Sequence, residues 1–69
     1  MKRYIDSLNY GKKIVIVASY NSEIFWKENN MYYCYNREFG NKKCPYMDDK
    51  SMIEYMERML EEDATIFIR

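Results

Sequence analysis

Cys34 and Cys44 are the only thiols in this 69-residue chain, and it has no histidine. A structural zinc site takes four cysteine or histidine ligands. One copy does not supply them, and a ten-residue separation of the cysteines is not a ligand-pair spacing. Two cysteines also give no disulfide framework. Cys34 lies in a run that reads as strand and is expected to be a small buried hydrophobe. Cys44 follows Lys42 and Lys43, whose charges would lower its pKa if the thiol were exposed. An inert thiol is the expectation for both. Without histidine no Ser-His-Asp set exists, and neither a phosphate-binding glycine loop nor a dinucleotide fingerprint is present. The chain is expected to have no enzymatic activity, no cofactor and no metal.

The remaining chemistry-bearing groups are charges and aromatic rings. Lys12, Lys13, Lys27, Arg37, Lys42 and Lys43 alternate with Trp26, Tyr32, Tyr33 and Tyr35. Aromatic rings on a sheet, flanked by cations, can stack and neutralise single-stranded nucleic acid. The same tyrosines can equally pack as structure, and no RNA-recognition consensus octapeptide is present. Asp48 and Asp49 suit a helix N-terminus, whereas Glu61, Glu62 and Asp63 sit unfavourably at its C-terminus. A local charge rule broken without local gain points toward an outside partner. Met47, Met52, Met56 and Met59 read first as adaptable core.

Those residues must be positioned by a few short elements. Residues 2–9 place Tyr4, Ile5 and Leu8 as a short helical stripe, closed by Gly11. Lys13 to Tyr20 is a β-branched strand, apolar on both faces. Asn21-Ser22 reads as a turn and Glu23 to Glu28 as a second strand. Asn29-Asn30 is a two-residue hairpin turn leading to a third strand, Met31 to Asn36. Period two puts Ile24 and Trp26 opposite in face to Phe25 and Lys27. It likewise separates Met31, Tyr33 and Tyr35 from Tyr32 and Cys34. Residues 42–47 are a further candidate, as an edge strand. Asp48 to Glu62 is the main helix, with Met52, Ile53, Met56, Met59 and Leu60 on one face. It is capped by Ser51 with Glu54, or by Asp48 or Asp49. Ala64 to Ile68 is a last strand.

The expected fold is a small two-layer α+β domain over residues 1–69. An antiparallel three-stranded meander is followed by a C-terminal helix and fourth strand, (α)βββαβ. A crossover from the third strand should bring the last strand in parallel to it and beside the first, in order 3-2-1-4. The long helix covers one sheet face, and the N-terminal element shields part of the other. Apolar and aromatic surface is then left over, and such surface marks an interface.

The 11 basic and 11 acidic residues cancel, but not locally. Residues 1–47 carry eight basic against four acidic groups, and residues 48–69 three against seven. A basic sheet and an acidic helix can each steer a partner despite zero net charge. Chains this short also gain most from a partner. The expectation is a non-enzymatic interaction protein that binds a larger host protein or ribonucleoprotein, or forms a homodimer. Asn, Lys, Ile and Tyr, all with A/T-rich codons, supply 28 of the 69 residues. This bias suggests a phage or mobile-element protein, most concretely an anti-CRISPR-like inhibitor of a nucleic-acid-handling defence complex. Its partner-binding residues would be Trp26, Tyr33, Tyr35, Arg37, Lys42, Lys43, Glu54, Glu57, Glu61 and Glu62. The competing reading is a small single-stranded nucleic-acid-binding module using the basic aromatic sheet. No run is long and apolar enough to span a bilayer. Met1-Lys2-Arg3-Tyr4 lacks a signal-peptide pattern, so a cytoplasmic location is expected.

Overall fold

A computed structural model describes residues 1–69. The elements run α1 (Lys2–Leu8), β1 (Ile14–Val17), β2 (Ser22–Glu28), β3 (Met31–Asn36), β4 (Gly40–Cys44), α2 (Asp49–Glu61) and β5 (Thr65–Ile68). The strands form one antiparallel sheet in the order β4-β3-β2-β1-β5. The α+β fold with a meander, a C-terminal helix and a last strand beside the first is as expected. No helix is long and apolar enough to cross a membrane.

The turns follow from residue chemistry. Asn29 (φ 52°) and Asn30 (φ 64°) form a left-handed pair between β2 and β3, the geometry whose twist matches a tight hairpin. The turn between β1 and β2 falls at Ser19-Tyr20 rather than Asn21-Ser22. Ala18 and Asn21 close it by exchanging backbone hydrogen bonds, which frees Ser22 to begin β2. Asn36 builds the next turn, its Oδ1 accepting from the backbone N–H groups of Glu38 (2.8 Å) and Phe39 (3.3 Å). Gly40 then takes φ 74° and opens β4.

That fourth meander strand corrects the expected connectivity. β4 returns the chain to the opposite end of the sheet before α2 begins. β5 therefore enters antiparallel to β1, not parallel to it and to the third strand. Asp48 caps α2, its Oδ1 accepting from the Ser51 N–H at 2.8 Å.

A second correction concerns α1. Ile5 and Leu8 pack into the same core as Ile14, Ile16, Phe25, Met52 and Met56, so both helices lie on one face of the sheet. Seven residues are too few for a stable isolated helix, and burial of Ile5 and Leu8 holds this one in place. Burying each such side chain contributes about 1.5–3 kcal/mol. The methionine stripe of α2 is core at Met52, Met56 and Met59, whereas Leu60 is exposed. The far face of the sheet has no helix over it.

Candidate binding face

Strand pairing turns the alternating residues of five strands into rows across the uncovered face. One row is apolar: Phe67, Val15, Ile24, Tyr35 and then Asn41. No element covers this row; Val15 is buried and Ile24 half-buried, whereas Phe67 is 44% and Tyr35 41% exposed. A second row combines charge and rings. Arg69 exchanges backbone hydrogen bonds with Lys13, and Lys13 Nζ lies 5.6 Å from the Trp26 ring centroid. Trp26 pairs with Tyr33, and Tyr33 with Lys43. The Trp26 and Tyr33 rings are nearly parallel, 12° apart with centroids separated by 5.9 Å. Two rings are thus bracketed by cations on both sides. Glu28 is the one acid on the strands of this face, and its Oε2 accepts from Trp26 Nε1 at 2.9 Å. This bond fixes the indole in its plane.

Beyond the apolar row, Val17, Ser22 and Arg37 reach the end of the sheet. There the β1–β2 loop, Arg37 and Glu38 line a shallow concavity.

The covered face holds polar groups of another kind. Tyr32, 1% exposed, donates from its hydroxyl to Asp49 at 2.7 Å. Lys27 forms an ion pair with the same carboxylate at 3.2 Å. The Tyr32 hydroxyl bond foremost, with help from Lys27, holds Asp49 below the usual carboxylate range. Tyr55 donates from its hydroxyl to Glu23, and Cys34 Sγ lies 3.8 Å from the same carboxylate. Burial first, then the Glu23 charge, pushes the Cys34 thiol up to about 12. Cys44 is not the exposed thiol whose pKa Lys42 and Lys43 would lower. It is half-buried, and desolvation outweighs the lowering effect of Lys42, so its pKa is raised. Neither thiol is activated as a nucleophile. No three His, Cys, Asp or Glu side chains converge as a metal site.

The structure gathers some of the expected partner-binding residues and disperses others. Trp26, Tyr33, Tyr35 and Lys43 share the open face, with Arg37 at its end. Lys42 is in register with Cys34 and belongs to the helix-covered face. Glu54, Glu57 and Glu61 are exposed on α2, on the opposite side of the molecule. Glu62, at the end of α2, accepts from the Tyr20 hydroxyl at 3.3 Å. The basic-sheet and acidic-helix residues therefore do not form one site. Lys27 leaves the basic set, being tied to Asp49. Lys13, Val15, Ile24, Phe67 and Arg69 were outside the expected site residues. The β2–β3 register implied by Asn29-Asn30 already sets Trp26 opposite Tyr33. No comparable turn signal places β1 or β5.

No protein-family model, curated protein or solved structure matches the chain.

Proposed function

We propose that this protein is a non-enzymatic binding module whose working surface is the open face of its sheet. The observation that supports this reading is the placement of both helices on the other face. It leaves Phe67, Ile24, Tyr35, Trp26 and Tyr33 without an intramolecular cover. Contiguous exposed apolar surface marks an interaction site, and Trp and Tyr are the side chains that most often carry interface energy.

In its most concrete form the protein is a phage or mobile-element inhibitor that occupies a surface of a host nucleic-acid-handling complex. Small size, the spare aromatic face and opposed charge poles support that form. The poles lie on opposite sides of the molecule, so a partner engages one of them. The open face combines charge with apolar area, whereas the α2 carboxylates offer charge alone. A second copy of the chain is a competing occupant. Face-to-face pairing would bring Lys13, Lys43 and Arg69 of both copies together, with only Glu28 on each side to offset them. Edge pairing through β5 is obstructed, because the Ile66 carbonyl already accepts from the Tyr4 hydroxyl at 3.3 Å.

The test is affinity capture from host lysate with three baits. These are the wild type, a Trp26→Ala/Tyr35→Ala variant and a Glu57→Lys/Glu61→Lys variant. The open-face reading expects capture to be lost with the first variant and kept with the second. The reverse pattern would move the working surface to α2.

A further inference from the structure

We propose that the open face takes a single-stranded polynucleotide, with bases stacked on Trp26 and Tyr33 and phosphates at Lys13, Lys43 and Arg69. This inference rests on the reading of the open face as the working surface and names its occupant. Four features of the face select that chemistry.

The first is charge. On the strands of this face Lys13, Lys43 and Arg69 are exposed and oppose a single acid, Glu28. The complementary partner is an anion, which disfavours a second copy presenting the same face. The second is the order within the row, cation-cation-ring-ring-cation across five adjacent strands. Strands lie about 4.8 Å apart, so the terminal cations, four spacings apart, stand about 19 Å from one another. That is the span of a short polymer segment and exceeds one isolated phosphate. The third is ring geometry. Trp26 and Tyr33 are stacked on one another, 12° from parallel with 5.9 Å between centroids. A flat base can extend such a stack without sequence preference. The fourth is the neighbouring concavity, where Arg37 and the acid Glu38 stand beside the turn from Val17 to Ser22, a polar exit where a strand leaves the sheet. An acidic protein would satisfy the charge, but two parallel rings between cations match the alternation of flat base and phosphate more closely.

The inference is tested by fluorescence anisotropy with labelled dodecamers of deoxythymidine and of uridine. A duplex of the same length and poly-glutamate serve as competing ligands. Emission from Trp26, the only tryptophan, is followed in parallel. Either single strand should bind and quench Trp26, and the duplex and poly-glutamate should bind more weakly. Trp26→Ala and Tyr33→Ala should each weaken binding by about 5- to 160-fold, the range for one stacked base. Three neutralised phosphates give a log–log salt slope of about −2, and Lys43→Ala should reduce its magnitude by about 0.7. Lys43→Glu lies on an exposed edge strand outside the core and keeps the test valid should a ring variant fail to fold. Lys50→Glu, on α2, should leave binding unchanged. No binding at about 100 µM protein in 50 mM salt would overturn the inference, given the salt dependence of such contacts. So would equal affinity for poly-glutamate, or indifference to Trp26, Tyr33 and Lys43. If oligonucleotides fail but capture from lysate still depends on Trp26 and Tyr35, the occupant is wrong and the face is right. If both fail, the reading of the face fails with it.

Discussion

Asp63 is the residue at which local physics and sequence disagree most, and replacing it should stabilise the fold. It follows α2 with φ 64°. The Ala64 N–H donates to the Met59 carbonyl at 3.0 Å and the Asp63 N–H to the Leu60 carbonyl at 3.1 Å. These two bonds define a Schellman ending whose left-handed position is normally glycine. The same arrangement ends α1, where Lys12 bonds to Ser7 and Gly11 to Leu8, and glycine does hold that place. Left-handed backbone costs an ordinary residue about 1–2 kcal/mol, and aspartate somewhat less. A carboxylate at a helix C-terminus adds about 0.3–1 kcal/mol of unfavourable interaction with the dipole. Glycine returns about 0.5–1 kcal/mol through its freer unfolded chain. Asp63→Gly should therefore gain about 0.7 kcal/mol, which for a domain of this size raises Tm by about 3–6 °C. Asp63→Asn keeps the backbone cost and removes only the charge, so it should recover about half of the gain. Thermal unfolding followed by circular dichroism at low ionic strength measures both. A lower Tm for Asp63→Gly would refute the reasoning. An equal rise for Asp63→Asn would show that charge, not backbone, is the cost.

Three further outcomes follow from the covered face. Tyr32→Phe removes the hydroxyl bond to Asp49 and should cost about 1 kcal/mol in denaturant unfolding, the partner being half exposed. Because Asp49 and Asp48 are both held below their ordinary value, their contribution is present above about pH 3.9 and is lost as pH falls through the depressed folded values. A Tm profile should fall on the acid side, with a shallower fall in Tyr32→Phe. At the other extreme, Cys34 is raised from 9.0 to about 12. Its contribution is complete below pH 9.0 and is lost as pH rises through about 12. Thiol labelling at pH 8 should accordingly modify Cys44 first and Cys34 only at the rate of unfolding; equal rates would contradict the burial of Cys34. Asn36→Ala leaves two turn N–H groups and the Asn21 side chain without their partner. It should cost about 1–3 kcal/mol by chemical denaturation, and loss of β4 amide protection in hydrogen exchange would show where.

The legible parts of the fold were those with a local cause. Asn29-Asn30 announces its turn because asparagine tolerates positive φ, and the methionine stripe of α2 reads directly at helical period. β4 was less legible because Gly40-Asn41-Lys42-Lys43-Cys44 has no apolar alternation. Backbone pairing and the Asn36 turn hold it in place, and neither leaves a hydrophobic pattern. An edge strand over residues 42–47 is a candidate in the sequence, and the observed one is Gly40–Cys44; leaving it out of the topology inverted the direction assigned to β5, since one additional reversal changes the end of the sheet from which α2 departs. The side chosen by α1 was also illegible: a stripe of two buried residues says that the helix packs, not on which face. For the site, period two together with the Asn29-Asn30 hairpin put Trp26, Tyr33 and Tyr35 on one face. Arg69 entered, and Lys13 was set beside Trp26, only with the pairing of β1 to β2 and β5, because a row across strands is a property of register. The acids of α2 shared the expected site with the sheet residues because segment charge separates two poles without saying which of them a partner engages.

The central claim is that the working surface is the open face of the sheet. The most direct test is a nitrogen-15 NMR titration of the intact chain with a deoxythymidine dodecamer. The account predicts shift changes along Lys13, Val15, Ile24, Trp26, Tyr33, Tyr35 and Lys43, with the Trp26 indole among the largest and Glu54, Glu57 and Glu61 unmoved. Changes confined to α2 would contradict it, and none at millimolar oligonucleotide would overturn the polynucleotide as the occupant of the face.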